Sequence, residues 1–542
     1  MSASRERKKR QALTEAGQSP KQLKAAQEKK RKTRRTTISV IAIVLVLAIC
    51  LGLFYGLVLR PKSLPRKTVA LRTGDHELSA VEFSHYYYDA INAFYQNYGS
   101  YISYFMSDPS QPIDQQVYDQ ETGETWAEYF MKSAADTAKF DYAVYDEAKA
   151  AGYTLSAESE QSIKDSLATL ETQVKENGFK SLNQYFDQVY GKGCTKDTYL
   201  SYQRIRATAS EYAQKLDDER EFSDADIQAK DDENPAKYSN ATYRSYFISA
   251  SNYKPEASED DEEKTEEEKT AETEEAMKKA KADADKMVAA ATSEKGFSDM
   301  ALELAPESSK QTYEDADATL NANTAYDSVN SLFVDWVFDS ARKAGDVSAF
   351  EDSGNGYYVV YFLSTDKNEY NTVNVRHILI APENDEDSDN DGTPDKASEA
   401  ADAAAKAKAE QLLADWKAGE ATEDSFAKLA EENSSDNAEQ GGLYENVYKG
   451  QMVQEFNDWC FDASRKPGDT AVVKTTYGYH IMYFVGEGET YRKTQILNDL
   501  KEEAYNEWSE KIVEGKDATL DEAGTKFLRT DLVLGSSEAP AE

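Results

Sequence analysis

The segment Gly478 to Phe484 reads GYHIMYF, and an earlier segment, Gly356 to Phe362, reads GYYVVYF. A duplicated strand constrains a chain more than its composition does, because everything around it must also occur twice. It does. TYRSYFIS from Thr242 answers NVRHILIA from Asn374, EEAMKKAKADADKMVAA answers SEAADAAAKAKAEQLLADW, GFSDMALE answers SFAKLAEE, and DWVFDSARKAGD from Asp335 answers DWCFDASRKPGD from Asp458. The order is strand, acidic insert, helix, short helix, a helix ending in DW-x-F-D, then a strand pair. Alternating strands mixed with helical periods predict an α+β fold in two copies, residues 238–366 and 372–488.

The remaining sequence is too long for one core. At 542 residues the chain exceeds the usual domain of roughly 100–200 residues several-fold. Residues 1–36 carry thirteen Lys/Arg against three Glu, a net of +10, so the remainder of a chain with net charge −38 carries −48. Between the two lie residues 38–59, ISVIAIVLVLAICLGLFYGLVL, 22 positions without a charge. About 20 such residues suffice to cross a bilayer as a helix. A transmembrane anchor over residues 37–59 is therefore predicted, with the basic tail cytoplasmic and the bulk of the chain outside. A cleavable signal would have a shorter apolar core and a small-x-small site, whereas LRPKSLPRK follows here. Leu47-Ala48-Ile49-Cys50 approaches a lipoprotein signal, but Ile49 stands where a small residue is required. Cys194 and Cys460 are far apart and make neither a disulfide framework nor a zinc motif. The acidic excess argues against a nucleic-acid partner.

VALRTGDHELSA predicts two short strands around the Gly74-Asp75 turn. Amphipathic periods then continue through residues 68–236, a helical domain rich in tyrosines able both to pack and to touch a varied polypeptide. After the second copy, the segment from Tyr491 to Ile512 places Ile496, Leu497, Leu500, Ala504 and Trp508 on one stripe. A C-terminal helix over residues 490–535 is predicted, and its stripe is expected to pack on the helices of residues 79–220. Two acidic stretches, Pro255–Glu275 and Pro382–Asp395, interrupt the copies at corresponding places.

Each histidine of the second copy lies within an alternating strand: His377 in VRHILI, His480 in GYHIMYF. Strands at the two ends of a compact α+β unit often pair, which would bring the two imidazoles together. By itself such a pair reads as structural, each nitrogen satisfied by a neighbour. The ordered set VRHILI, alanine-rich helix, FAKLAEENSSD, GG, GQMVQEF, the turn ending in GD, and TTYGYHI resembles the parvulin family of peptidyl-prolyl isomerases over residues 372–486. The resemblance implies that His377 and His480 are the family's paired histidines and that Asp436 occupies its Cys-or-Asp position. It further implies a proline pocket of Met452 and Phe456, four apart on a helix, with Gln451 beside them and Thr475 near the second histidine. It implies no cofactor. Isomerisation needs none: the barrier of roughly 18–20 kcal/mol reflects amide resonance, and a site that favours the twisted amide over the planar one lowers it.

The chain departs from the family where GGLYENVYKG replaces GGDLG and an aromatic. Acidic residues after the first strand, rather than basic ones, argue against phosphorylated substrates. In the first copy Ser245 stands for His377 and Tyr358 for His480, with no recognisable GQM-x-x-x-F, so that copy is expected to bind or space without catalysing. The plan as a whole resembles SurA-type periplasmic chaperones, and its outward-facing anchored topology resembles PrsA-type foldases of Gram-positive bacteria. FSDADIQAKDDENPAKY fits a helix pair found in such proteins. The expected function is a membrane-anchored extracytoplasmic isomerase and chaperone for exported X–Pro polypeptides; the alternative is a holdase without isomerase activity. Asp387, Asp389, Asp391 and Asp395 have the spacing of a calcium loop, but position twelve is Ser398 and a solvated acidic loop is the favoured reading.

Overall fold

The computed structural model describes Val46 and residues 63–255, 265–385 and 396–534. The expected span at residues 38–59, Cys50 and the four aspartates of the acidic loop lie outside the described residues, Val46 alone excepted. Among the described residues, no helix is long and apolar enough to cross a membrane. The chain divides into two compact units, one made of residues up to Arg220 together with those from Tyr505 onward, the other of Glu221–Ala504.

The first unit is helical. β1 (Val69–Thr73) and β2 (His76–Ser79) flank the expected turn, where Gly74 has φ +50°. Helices Ala80–Tyr98 and Trp126–Ala150 each begin at a capping box, Ser79 with Glu82 and Thr125 with Glu128, which satisfies backbone N–H groups that the first turn leaves unpaired. Trp126, Phe130, Ala134 and Ala138 recur at four-residue spacing on the second helix and are all buried. Their core also takes in Leu71, Leu78 and Phe83 from the start of the chain and Leu528 and Leu534 from its far end. A third strand, Ala518–Leu520, completes the small sheet by pairing with β1, Leu71 opposite Leu520. The expected C-terminal helix over residues 490–535 therefore stops at Val513, and three strand residues are too few to show a period in the sequence. The tyrosines divide: Tyr86, Tyr87 and Tyr88 are buried, whereas Tyr98, Tyr101, Tyr104 and Tyr118 are exposed. Of the helix Tyr491–Val513, the end from Tyr505 packs Tyr505, Trp508 and Ile512 with Ala143, Val144, Ala148 and Tyr212.

The second unit contains the duplicated fold. β3 (Asn240–Ser249), β4 (Leu320–Ala325), β5 (Val347–Asp352) and β6 (Gly356–Asp366) form one antiparallel sheet in the order β4-β3-β6-β5. β7 (Asn371–Ile380), β8 (Leu443–Val447), β9 (Thr470–Thr475) and β10 (Gly478–Thr490) form another in the equivalent order, β8-β7-β10-β9. The register is equivalent too. Ser245 pairs with Val360 and Phe247 with Tyr358, as His377 pairs with Met482 and Leu379 with His480. The glycine that opens each repeated strand has a common cause: a Cβ on Gly356 would lie 2.2 Å from the Ile248 carbonyl oxygen, and one on Gly478 2.5 Å from that of Ile380. Their φ values of +152° and +135° are ones that side chains rarely adopt. An arginine ties each central strand to a helix, Arg244 to Glu294 at 3.1 Å and Arg376 to Glu423 at 3.0 Å.

Only one helix, Asp224–Glu233, precedes the first sheet, where the sequence reading expected a pair; a turn at Asn234–Lys237 follows it instead. The two sheets meet at Asn368, which is buried in a left-handed conformation with φ +57°. Its amide donates to the Tyr238 carbonyl at 3.2 Å and to Asn240 at 3.1 Å. Arg492 donates to the Tyr238 and Pro235 carbonyls and pairs with Asp231.

Candidate functional site

The site is built on the two central strands of the second sheet. His377 of β7 and His480 of β10 are not directly opposed but stand on a diagonal, each facing the other's neighbour two residues on. Diagonal side chains on one face of a sheet lie within reach of ring systems, and here the two Nδ1 atoms are 3.0 Å apart, with the rings 28° from parallel. Both histidines are buried, His377 to 2% exposure. Burial is the main cause that lowers both imidazoles: His377 falls to about 4, helped by the neighbouring His480 and opposed by Asp436, and His480 falls in the same direction. At neutral pH both are therefore uncharged, and the contact between them joins one N–H to one lone pair.

Each end of the pair is held. Thr475, the last residue of β9, places its hydroxyl 2.9 Å from His480 Nε2, and the Tyr477 backbone N–H donates to that hydroxyl at 3.1 Å. On the other side, Asp436 Oδ2 lies 3.4 Å from His377 Nε2. The segment carrying Asp436 is fixed to the edge of β7. Leu379 N–H donates to the Ser434 hydroxyl, Ser435 N–H to the Leu379 carbonyl, and the Ser434 hydroxyl in turn to the Asp436 carbonyl. The GG pair closes this edge. His377 N–H donates to the Gly442 carbonyl at 2.9 Å, and a Cβ at Gly442, φ +67°, would stand 2.1 Å from the His377 carbonyl oxygen.

The apolar floor is Phe456. Its ring stands nearly perpendicular to both imidazoles, 84° to His377 and 87° to His480, with both centroids 5.4 Å away. It is buried with Val375, Val447 and Met482, and Met452 packs half-buried at the margin of that cluster. Met452 is not on the helix with Phe456, contrary to the sequence expectation: the helix is Gln454–Cys460, and extended Val453 caps it. The reason is the tight turn at Tyr448–Gln451, where Gln451 N–H donates to the Tyr448 carbonyl and Tyr448 N–H donates to the Gln451 side chain at 3.0 Å. Gln451 thus holds the loop that presents Met452. His377, His480, Thr475, Asp436 and Phe456 come together; Met452 packs at the margin of the Phe456 cluster, and exposed Gln451 reaches the site only through the turn it closes.

One residue of the site escaped the sequence reading. Tyr444 of β8, in the altered GGLYENV segment, places its hydroxyl 3.1 and 3.3 Å from the two Asp436 oxygens and its ring centroid 5.2 Å from that of His377. The available signal was position: β8 is the next strand on that side of β7, so its residues facing the His377 side must border the site.

In the first copy, Phe333 is buried against Tyr243 and Tyr358, two residues before the DW-x-F-D motif as Phe456 is in the second, and Val329 is buried four residues before it, as Met452 lies four before Phe456. The apolar floor is kept there. What has gone is the polar chain: Ser245 accepts from the Asn321 amide at 3.0 Å, and the Tyr358 ring fills the space against Phe247 at 4.5 Å.

A small antiparallel sheet with two buried, hydrogen-bonded histidines over an aromatic floor is the architecture of a parvulin-like domain. Residues 357–486 match the family model described as the PPIC-type PPIASE domain, so this part of the chain carries such a domain. Comparison with curated proteins gives no match. Among solved structures, the chain is similar to the peptidylprolyl isomerase PrsA from Bacillus anthracis, with 20% identity over 27% of this chain and 58% of that one and a TM-score of 0.17. It is also similar to PrsA from Bacillus subtilis, with 16% identity over 72% and 88% of the two chains and a TM-score of 0.28. The foldase protein PrsA from Streptococcus pneumoniae matches at 12% identity over 76% and 98%, with a TM-score of 0.21. The chain thus spans little more than half of the first of these structures, and none of the three superposes as a whole.

Proposed function

We propose that this chain is a membrane-anchored, extracytoplasmic peptidyl-prolyl cis-trans isomerase and chaperone that assists exported polypeptides containing X–Pro bonds. The observation that carries the reading is the His377–His480 contact of 3.0 Å within a segment that matches the PPIC-type PPIASE model. Such a wall needs neither nucleophile nor metal. Uncharged imidazoles, desolvated and locked by Thr475 and Asp436, present fixed dipoles to an amide whose charge redistributes as it twists, while Phe456 and Met452 offer the proline ring an apolar seat. Anchoring rests on the 22 uncharged residues 38–59 and the basic residues before them. The test is a proline-limited refolding assay with the whole chain: a catalysed slow phase is expected, and an unchanged slow phase together with suppressed client aggregation would replace the isomerase by a holdase. That second reading has one observation in its favour, the first copy, which keeps the sheet and floor without the polar chain.

A further inference from the structure

The chain Thr475–His480–His377–Asp436 can run in two directions. If His377 carries its proton on Nδ1, its Nε2 turns a lone pair towards the Asp436 carboxylate, two acceptors facing each other at 3.4 Å. If it carries the proton on Nε2, every contact joins a donor to an acceptor, provided that the Asp436 carboxylate stays in place. Nothing in its own segment ensures this, since the Asp436 side chain is 43% exposed. Tyr444 does. It stands opposite Val375 on the neighbouring strand, and its single hydroxyl proton points at the carboxylate and holds it in place. Its nearer contact is with Oδ1, while Oδ2 is the oxygen that faces His377. Burial and the adjacent carboxylate raise the Tyr444 phenol, so it remains a donor at neutral pH.

Resting on the reading of this wall as the active one, we propose that Tyr444 is a positioning residue. It holds the Asp436 carboxylate against His377 and so fixes the hydrogen-bond chain in one direction: Thr475 O–H to His480 Nε2, His480 Nδ1–H to His377 Nδ1, and His377 Nε2–H to Asp436. The Tyr477 N–H already occupies one lone pair of the Thr475 oxygen, which leaves that hydroxyl proton free to point at His480.

Long-range 1H–15N spectra of the full chain labelled at histidine distinguish the two ring tautomers directly. The expected result is His377 protonated at Nε2 and His480 at Nδ1, with Tyr444→Phe turning both into tautomer mixtures and lowering kcat on an X–Pro peptide by about fivefold to tenfold at nearly unchanged KM. Asp436→Asn gives a second arm. With the amide oxygen held by Tyr444, its NH2 faces His377 and both tautomers invert. Wild-type tautomers opposite to those stated, or wild-type tautomers retained in Tyr444→Phe, would overturn the proposal. Should Tyr444→Phe fail to fold, retention of the wild-type tautomers in Asp436→Asn does so. A wild-type chain without isomerase activity would sink the functional reading instead, and the spectra would still decide the role of Tyr444.

Discussion

The two sheets of the second unit differ less in fold than in what their inner faces carry. Both keep the strand order, the register, the glycine that lets β6 or β10 pass a carbonyl, the arginine tie and a buried phenylalanine floor. The polar positions have changed, Ser245 for His377, Tyr358 for His480 and, in the equivalent register, Asp352 for Thr475. The residues that specify the fold are therefore separable from the polar residues of the site. A histidine pair can be lost without disturbing the sheet, because its cross-strand partners are apolar and a phenol packs against Phe247 as readily as an imidazole packs elsewhere.

The sharpest probe of this separation is the floor. Phe456→Ala and Phe333→Ala should each cost their copy about 3–5 kcal/mol, since both remove a buried ring. Only the former should also abolish catalysis. Hydrogen exchange of β10 and β6 amides in the full chain measures the costs, and a cost confined to one copy would break the equivalence.

Acid comes next. His377 has a folded pKa of about 4 against an ordinary 6.5. Between those values the unfolded chain binds a proton that the folded chain refuses, so the second sheet loses stability as pH falls through that window, up to about 3 kcal/mol, and is unaffected above it. The first copy contains no histidine. Protection of β7 and β10 amides, corrected for intrinsic exchange, should therefore drop relative to β3 and β6 between pH 7 and pH 4.5; parallel loss in both would contradict the assignment.

Smaller in energy is the exchange of site residues. His480→Tyr should cut isomerase activity by about 100-fold, roughly 2.7 kcal/mol of barrier, with the sheet intact. Tyr358→His should give the first copy no activity, because Ser245 remains. An active His480→Tyr protein would show that the site lies elsewhere.

The duplicated strands were legible because buried strands that pair in one register conserve their pattern of large and small residues, and both copies are in the same chain to be compared. The histidine pair was legible as a pair, although not as a diagonal one. Less could be read where a contact depends on a turn. Met452 leaves the helix because of the Tyr448–Gln451 hydrogen bonds, which no periodicity reveals. Tyr444 was hidden because its role depends on β8 lying beside β7. Phe333 was overlooked because its neighbours SLFVDWVF do not spell the second copy's motif, although its spacing from DW-x-F-D is the same.

The pairing of Leu71 with Leu520 has a consequence for the order in which the molecule is made. A chain that emerges from its N-terminus cannot complete the first sheet until more than four hundred residues have followed, a separation that makes closure slow and leaves the edge of β1 open meanwhile. The second unit shortens the wait. Once it has formed, Lys230 meets Glu503 at 2.5 Å and Tyr238 donates to Asp499 at 2.8 Å, so its two chain ends are already side by side. An inserted unit whose ends meet in this way turns a long random closure into a short one.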